Sequence, residues 1–231
     1  MKSSSSPCAW RIRIFVTVAL IGWAASHPFV LQSTAGKQSQ LWTFDTDAPG
    51  TLPGDFVVGT LFDGRAAGEW KVLQKNDAPS HPNVFGQVIG KGAEHAYKVV
   101  LVEGSKSSDL ELEVSLLAVD GKADMGGGLI WRAADDRNYY LTRANPLEQN
   151  IRIYRVVKGV RHLLNNFDHI IDVRQWHQLR VTMAGCQVQV FFDKTKVFDL
   201  CDKTFSEGRI GLWTKSDATT YFDDLKLKVS Q

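Results

Sequence analysis

Residues 126–159, GGGLIWRAADDRNYYLTRANPLEQNIRIYRVVKG, decide the fold. Three short apolar-aromatic segments are cut by polar turns, which is the pattern of antiparallel sheet. Residues in a strand alternate between two faces. The apolar members therefore fill a core on one side. Arg132, Arg143, Asn145, Asn150, Arg152 and Tyr154 line the other. Arg143 and Asn145 share strand parity, as do Asn150, Arg152 and Tyr154. Guanidinium and amide donors beside a phenol suit the hydroxyls and C–H faces of a sugar. The competing reading is a solvated sheet face whose arginine stems cover apolar area.

Outward from this stretch the pattern repeats. LELEVSLLAV at residues 110–119 alternates, with Leu110, Leu112 and Val114 facing one way and Glu111 and Glu113 the other. Further strands are expected near 41–44, 69–73, 84–89, 95–102, 127–132, 138–144, 150–157, 178–183, 186–192, 197–200, 208–213 and 221–229. No segment has the period of a long amphipathic helix. Many strands between short Gly- and Asp-containing turns give an all-β fold, a two-sheet antiparallel jelly-roll β-sandwich. A closed barrel is the lesser alternative.

The first 26 residues stand apart. Lys2, Arg11 and Arg13 precede an apolar run from Ile14 to Ala24, and Ala24, Ala25 and Ser26 are small residues fit for cleavage before His27. The run is short for a membrane span. A signal peptide over 1–26, a linker over 27–40 and one domain over 41–231 is the expected organisation, in a secreted or periplasmic protein. Cleavage removes three of the 27 basic residues and none of the 25 acidic ones, leaving a net charge of −1. Neither that charge nor any zinc-finger spacing supports nucleic-acid binding.

Cys186 and Cys201 flank the hairpin CQVQVFFDKTKVFDLC. Export permits a disulfide between them, but bridge geometry is demanding, and two free thiols are the alternative. Glu148 joins the strands carrying Arg143 and Arg152, so it is placed to accept a sugar hydroxyl or to act as an acid/base. A solvated turn carboxylate is the plainer reading. Of Trp70, Trp131, Trp176 and Trp213, at least two are expected in the core.

GGGLIWR (126–132), NYYLTRAN (138–145), NIRIYRV (150–156) and EGRIGLWTKSDATTYFDDLKL (207–227) together resemble the concanavalin A-like lectin/glucanase superfamily. More closely, they resemble bacterial 3-keto-disaccharide hydrolase-like, or family-16-glycosidase-like, domains. The resemblance covers about residues 41–229. It implies two antiparallel sheets with a face that handles carbohydrate, in members that include hydrolases and simple binding modules. The glucanase pair of Glu residues around an Asp is missing; Glu111-Leu112-Glu113 lacks the middle acid. The resemblance requires no cofactor but allows a structural calcium where the first and last strands meet, here Asp45, Asp47 and Asp224. It thus implies recognition of a sugar or glycoside, with cleavage of oxidised (3-keto) disaccharides as the finer expectation. Noncatalytic adhesion or cell-envelope structure is the alternative.

Overall fold

The computed structural model describes residues 38–88 and 95–230. The expected signal peptide and nearly all of the linker lie outside the described residues. Fifteen strands follow in chain order: β1 (Gln38–Trp42), β2 (Phe56–Val58), β3 (Trp70–Gln74), β4 (Asn83–Gln87), β5 (Tyr97–Val102), β6 (Asp109–Asp120), β7 (Gly127–Asp135), β8 (Asn138–Asn145), β9 (Asn150–Val157), β10 (Val160–Asp168), β11 (Trp176–Ala184), β12 (Gln187–Phe192), β13 (Thr195–Cys201), β14 (Arg209–Lys215) and β15 (Thr219–Ser230). Among the described residues no helix is long and apolar enough to cross a membrane.

The strands form two antiparallel sheets. The first runs β13-β12-β11-β6-β15-β4-β3, with β1 also paired to β15; the second runs β10-β9-β8-β7-β14-β5-β2. Their inner faces share one core. Leu112, Val114 and Leu116 of β6 and Val181 of β11 meet Leu129, Trp131, Tyr140, Ile151, Ile153 and Leu212 of the opposite sheet. Each such side chain contributes roughly 1.5–3 kcal/mol by leaving water. At one end Phe44, Phe56, Trp70, Phe85 and Phe222 pack ring against ring. This is the jelly-roll sandwich read from the alternation.

Local departures from the ladder have identifiable causes. Gly128 pairs with Arg143 on β8 and with Trp213 on β14. A Cβ there would sit 1.9 Å from the Thr142 carbonyl oxygen, so only glycine lets β7 approach β8 this closely. On β15, one edge pairs first with β4 at Thr220–Phe222 and then with β1 at Leu225–Val229. The register shifts between Asp223 and Lys226, and Asp224 takes a left-handed φ of 49°. The two acids therefore do not alternate as in a regular strand. Asp223 stays in register opposite Ser115, on the face away from the core, where it is fully buried and accepts hydrogen bonds from the Ser80 amide (2.8 Å) and hydroxyl (2.9 Å).

Two strands were not expected. β2 has only three residues. β10 is an edge strand with a bulge between Leu163 and Asn165, so its sequence VRHLLNNFD carries no clean period of two. β1 also begins at Gln38, earlier than the linker boundary. Cys186 and Cys201 are joined as a disulfide, with their Cα atoms 4.8 Å apart across the β12–β13 hairpin.

Candidate functional site

The outer face of the second sheet is unusual because most of it is buried. Val99, Leu101, Ile130, Ala133, Tyr139, Leu141, Tyr154, Val156 and Trp213 form a second apolar cluster there, with Tyr97 packed against it. Trp213 is only 1% exposed, yet it lies on this outer layer and not between the sheets. Trp131 and Trp70 are core residues, as expected of at least two tryptophans. Tyr139 is enclosed in the same layer, and burial pushes its phenol well above the ordinary tyrosine range.

A polar network borders this aromatic layer. β8 and β9 pair Arg143 with Arg152 and Asn145 with Asn150, so the four side chains share the outer face. The reading of strand parity holds here. One carboxylate oxygen of Glu148 accepts from Arg143 Nη2 at 2.7 Å and from Arg152 Nη1 at 2.9 Å. Arg143 is 2% exposed and also donates to the side-chain oxygen (2.6 Å) and the carbonyl (3.2 Å) of Asn150. Asn145 caps the turn by accepting from the amides of Leu147 and Glu148, both at 2.9 Å. Its amide donates to Asp124, which in turn pairs with Lys215 at 2.9 Å. Arg152 is the accessible member and donates through Nε to Asn166 of β10 at 2.7 Å.

This geometry fixes the charge of Glu148. Burial pushes its carboxyl upward, but the guanidinium groups of Arg143 and Arg152 and their hydrogen bonds outweigh that and hold it below the ordinary glutamate value. At neutral pH it is a carboxylate. It is therefore equipped to accept hydrogen bonds and to orient two arginines, and it carries no proton to donate.

Arg132 does not join this constellation. It has a left-handed φ of 48° at a bulge where the β7–β8 register shifts, which turns its side chain off the outer face. Its guanidinium donates to the carbonyls of Ser108 (2.7 Å) and Phe205 (2.9 Å) and to Asp109 (3.2 Å). Arg132 thus ties loops to the sandwich and is removed from the ligand set.

The acids of the calcium expectation have other partners. Asp45 accepts the Asn83 amide at 3.1 Å, and the Asp47 carbonyl accepts the Asn83 side chain at 3.1 Å. The terminal-strand acid that is fully buried is Asp223, and it is engaged by Ser80. Among the described residues no three acid, histidine or cysteine groups converge to hold a metal. The acidic alternation at Glu111 and Glu113 faces solvent on the other sheet, where Lys228 and Arg180 pair with it.

Sequence reasoning missed Asp124, Lys215, Tyr97 and Arg161. Arg161 belongs to the unexpected strand β10. Its guanidinium lies 5.0 Å from the Tyr97 ring centre, 4.9 Å from Tyr154 and 5.6 Å from Trp213. Beside Tyr97, a cleft of about 380 Å³ opens between Phe62, His95, Asp136 and Arg137. The cleft lies at the end of β8 and β9 that carries Arg137 and Gly159, opposite the end that carries Glu148.

Comparisons with known proteins agree with this architecture. Residues 58–228 match the model of the 3-keto-alpha-glucoside-1,2-lyase-like domain. Levanase of Bacillus subtilis (strain 168) is 26% identical over 128 residues, covering 54% of this chain and 18% of the levanase. The match therefore spans less than a fifth of that enzyme. Carbohydrate binding module CBM66 from Bacillus subtilis superposes with a TM-score of 0.60 at 21% identity, covering 74% of this chain and 94% of the module. Cellulose induced protein Cip1 superposes with a TM-score of 0.62 at 9% identity, covering 83% and 97%. These likenesses show a shared jelly-roll fold, one used by glycosidases and carbohydrate-binding modules alike.

Proposed function

The chain belongs to the 3-keto-alpha-glucoside-1,2-lyase-like domain family, and from that premise we propose that it is an exported carbohydrate-recognition domain. Its ligand face is the outer face of the second sheet, centred on Arg143, Asn145, Glu148, Asn150, Arg152 and Tyr154. The observation that carries this reading is the Arg143–Glu148–Arg152 clamp, held rigid by Asn145 and Asn150 beside an aromatic layer. A sugar needs both parts. The accessible Arg152 and Glu148 take its hydroxyls and the half-buried ring of Tyr97 offers aromatic surface to a C–H face, while Arg143, Asn145, Asn150 and Tyr154 are buried behind them and hold the geometry. The relatives named as a levanase and a carbohydrate binding module support the same substrate class. The Cys186–Cys201 bridge supports an oxidising, extracytoplasmic compartment.

Cleavage of 3-keto disaccharides is the finer proposal, and it is ranked behind recognition. A general acid must hold a proton at working pH, whereas the arginines keep Glu148 ionised. Any catalytic part for Glu148 is therefore that of a base or of an oriented acceptor.

Calorimetric titration of neutral and 3-keto glycosides tests recognition. Wild type is expected to bind at least one class, and Arg152→Ala to weaken it by about 10-fold or more, the worth of a charge-assisted hydrogen bond. Absence of binding by folded wild type, or equal binding by the variant, overturns the assignment. Product formation from 3-keto but not ordinary disaccharides, slowed about 100-fold in Glu148→Gln, would establish turnover.

A further inference from the structure

The cations of the outer face are not equally neutralised. Arg143 and Arg152 share the Glu148 carboxylate, Arg152 also holds Asn166, and Lys215 is paired with Asp124. Arg161 differs. It pairs across the ladder with Val156, which puts it on the outer face above Tyr139. Among the described residues it makes no ion pair and donates no hydrogen bond. It is held instead by the rings of Tyr97, Tyr154 and Trp213, each within 5.6 Å.

Rings can fix a guanidinium without cancelling its charge. Their quadrupole attracts the cation to the ring face, and the N–H edge stays unspent. A planar fork of that kind matches the two oxygens of a carboxylate or sulfate. The half-buried setting strengthens such a contact relative to one in open water. Space for the rest of the ligand lies next to it, since Tyr97 is shared by the Arg161 stack and by the cleft of about 380 Å³. That volume falls in the range of ligand-holding pockets, roughly 300–1,000 Å³.

We propose that Arg161 is an anion-selecting residue and that the preferred ligand is a sugar bearing an acidic substituent, a uronate carboxylate or a sulfate ester. This rests on the outer face being the carbohydrate site. The acidic group docks on the guanidinium edge, and its ring is carried toward the clamp at Arg152 or toward the cleft at Tyr97. The clamp then reads hydroxyls, and Arg161 reads charge.

Matched oligosaccharides that differ only at one substituent distinguish the outcomes. Glucose- and glucuronate-terminated pairs, and a sulfated counterpart, are titrated against the full chain at low and near-physiological salt. The expected result is a preference of about 10-fold or more for an acidic member over its neutral partner, shrinking as salt rises because charges are screened. Arg161→Met, which keeps an unbranched apolar stem over the rings, is expected to bring the acidic-to-neutral ratio close to 1. Arg161→Lys keeps a cation and is expected to retain part of the preference. Preference for the uronate over the sulfate, or the reverse, identifies the source of the anion. Equal binding of acidic and neutral partners, or a preference that survives in Arg161→Met, overturns the proposal while leaving carbohydrate recognition intact. Failure of every sugar to bind overturns both. Should Arg161→Met not fold, the salt dependence of the wild-type ratio still decides.

Discussion

Replacing Glu148 by Gln separates a clamp from a proton donor. The substitution keeps one oxygen able to accept from Arg143 but removes the negative charge that two guanidinium groups share at 2.7 and 2.9 Å. A hydrogen bond to a charged group contributes about 1.5–3 kcal/mol. Two facts reduce the loss here. Arg143 keeps both oxygens of Asn150, and the Glu148 side chain is 38% exposed, so water screens it. The expected destabilisation is about 1–2 kcal/mol, which lowers Tm by roughly 2–8 °C for a domain of this size. The sign with pH follows from the depressed carboxyl. A group whose folded value lies below its unfolded one stabilises above the ordinary glutamate value of 4.5 and loses that contribution as pH falls through the folded value. The gap between wild type and variant is therefore full at neutral pH and closes in acid. Urea unfolding at several pH values, with the slope m checked for constancy, measures it. A gap of zero at neutral pH, or one that does not change down to strong acid, would refute the clamp.

Three further outcomes are expected. Asp223 is buried, which raises its carboxyl from 3.8 to about 6, against hydrogen bonds from Ser80 that lower it. Its proton thus favours the fold. That contribution is greatest below 3.8 and is lost as pH rises through about 6, on the order of 3 kcal/mol, and denaturation curves for Asp223→Asn should lack this slope. Reducing the Cys186–Cys201 bridge, which closes a separation of 15 residues, should cost about 2–3 kcal/mol; a Tm unmoved by reductant contradicts this. Arg132→Ala abandons three acceptors in a part-buried setting and should cost roughly 1–3 kcal/mol, while calorimetry on the folded fraction shows unchanged sugar affinity; weakened affinity would return Arg132 to the ligand face.

What the sequence determined by itself was the alternation, and through it the class of fold. LELEVSLLAV and NIRIYRV state in their period which residues meet the core, because a strand has only two faces. Parity alone also grouped Arg143, Asn145, Asn150, Arg152 and Tyr154 correctly. It failed where the backbone leaves the regular ladder. A bulge and a left-handed φ rotate Arg132 off the face that its position in the count assigned to it. A second irregularity, the register shift after Asp223, takes Asp224 out of the regular alternation. Strand β10 stayed illegible because an edge strand, covered on little of its surface, is under weak pressure to alternate. Its residue Arg161, and the meeting of Asp124 with Lys215 across 91 positions of chain, arise only when the sheet order places β10 beside β9 and β14 beside β7. Neighbours along a strand are set by local stereochemistry, which the sequence spells out; neighbours across a sheet are set by which strands pair, and that is decided by the packing of the whole chain.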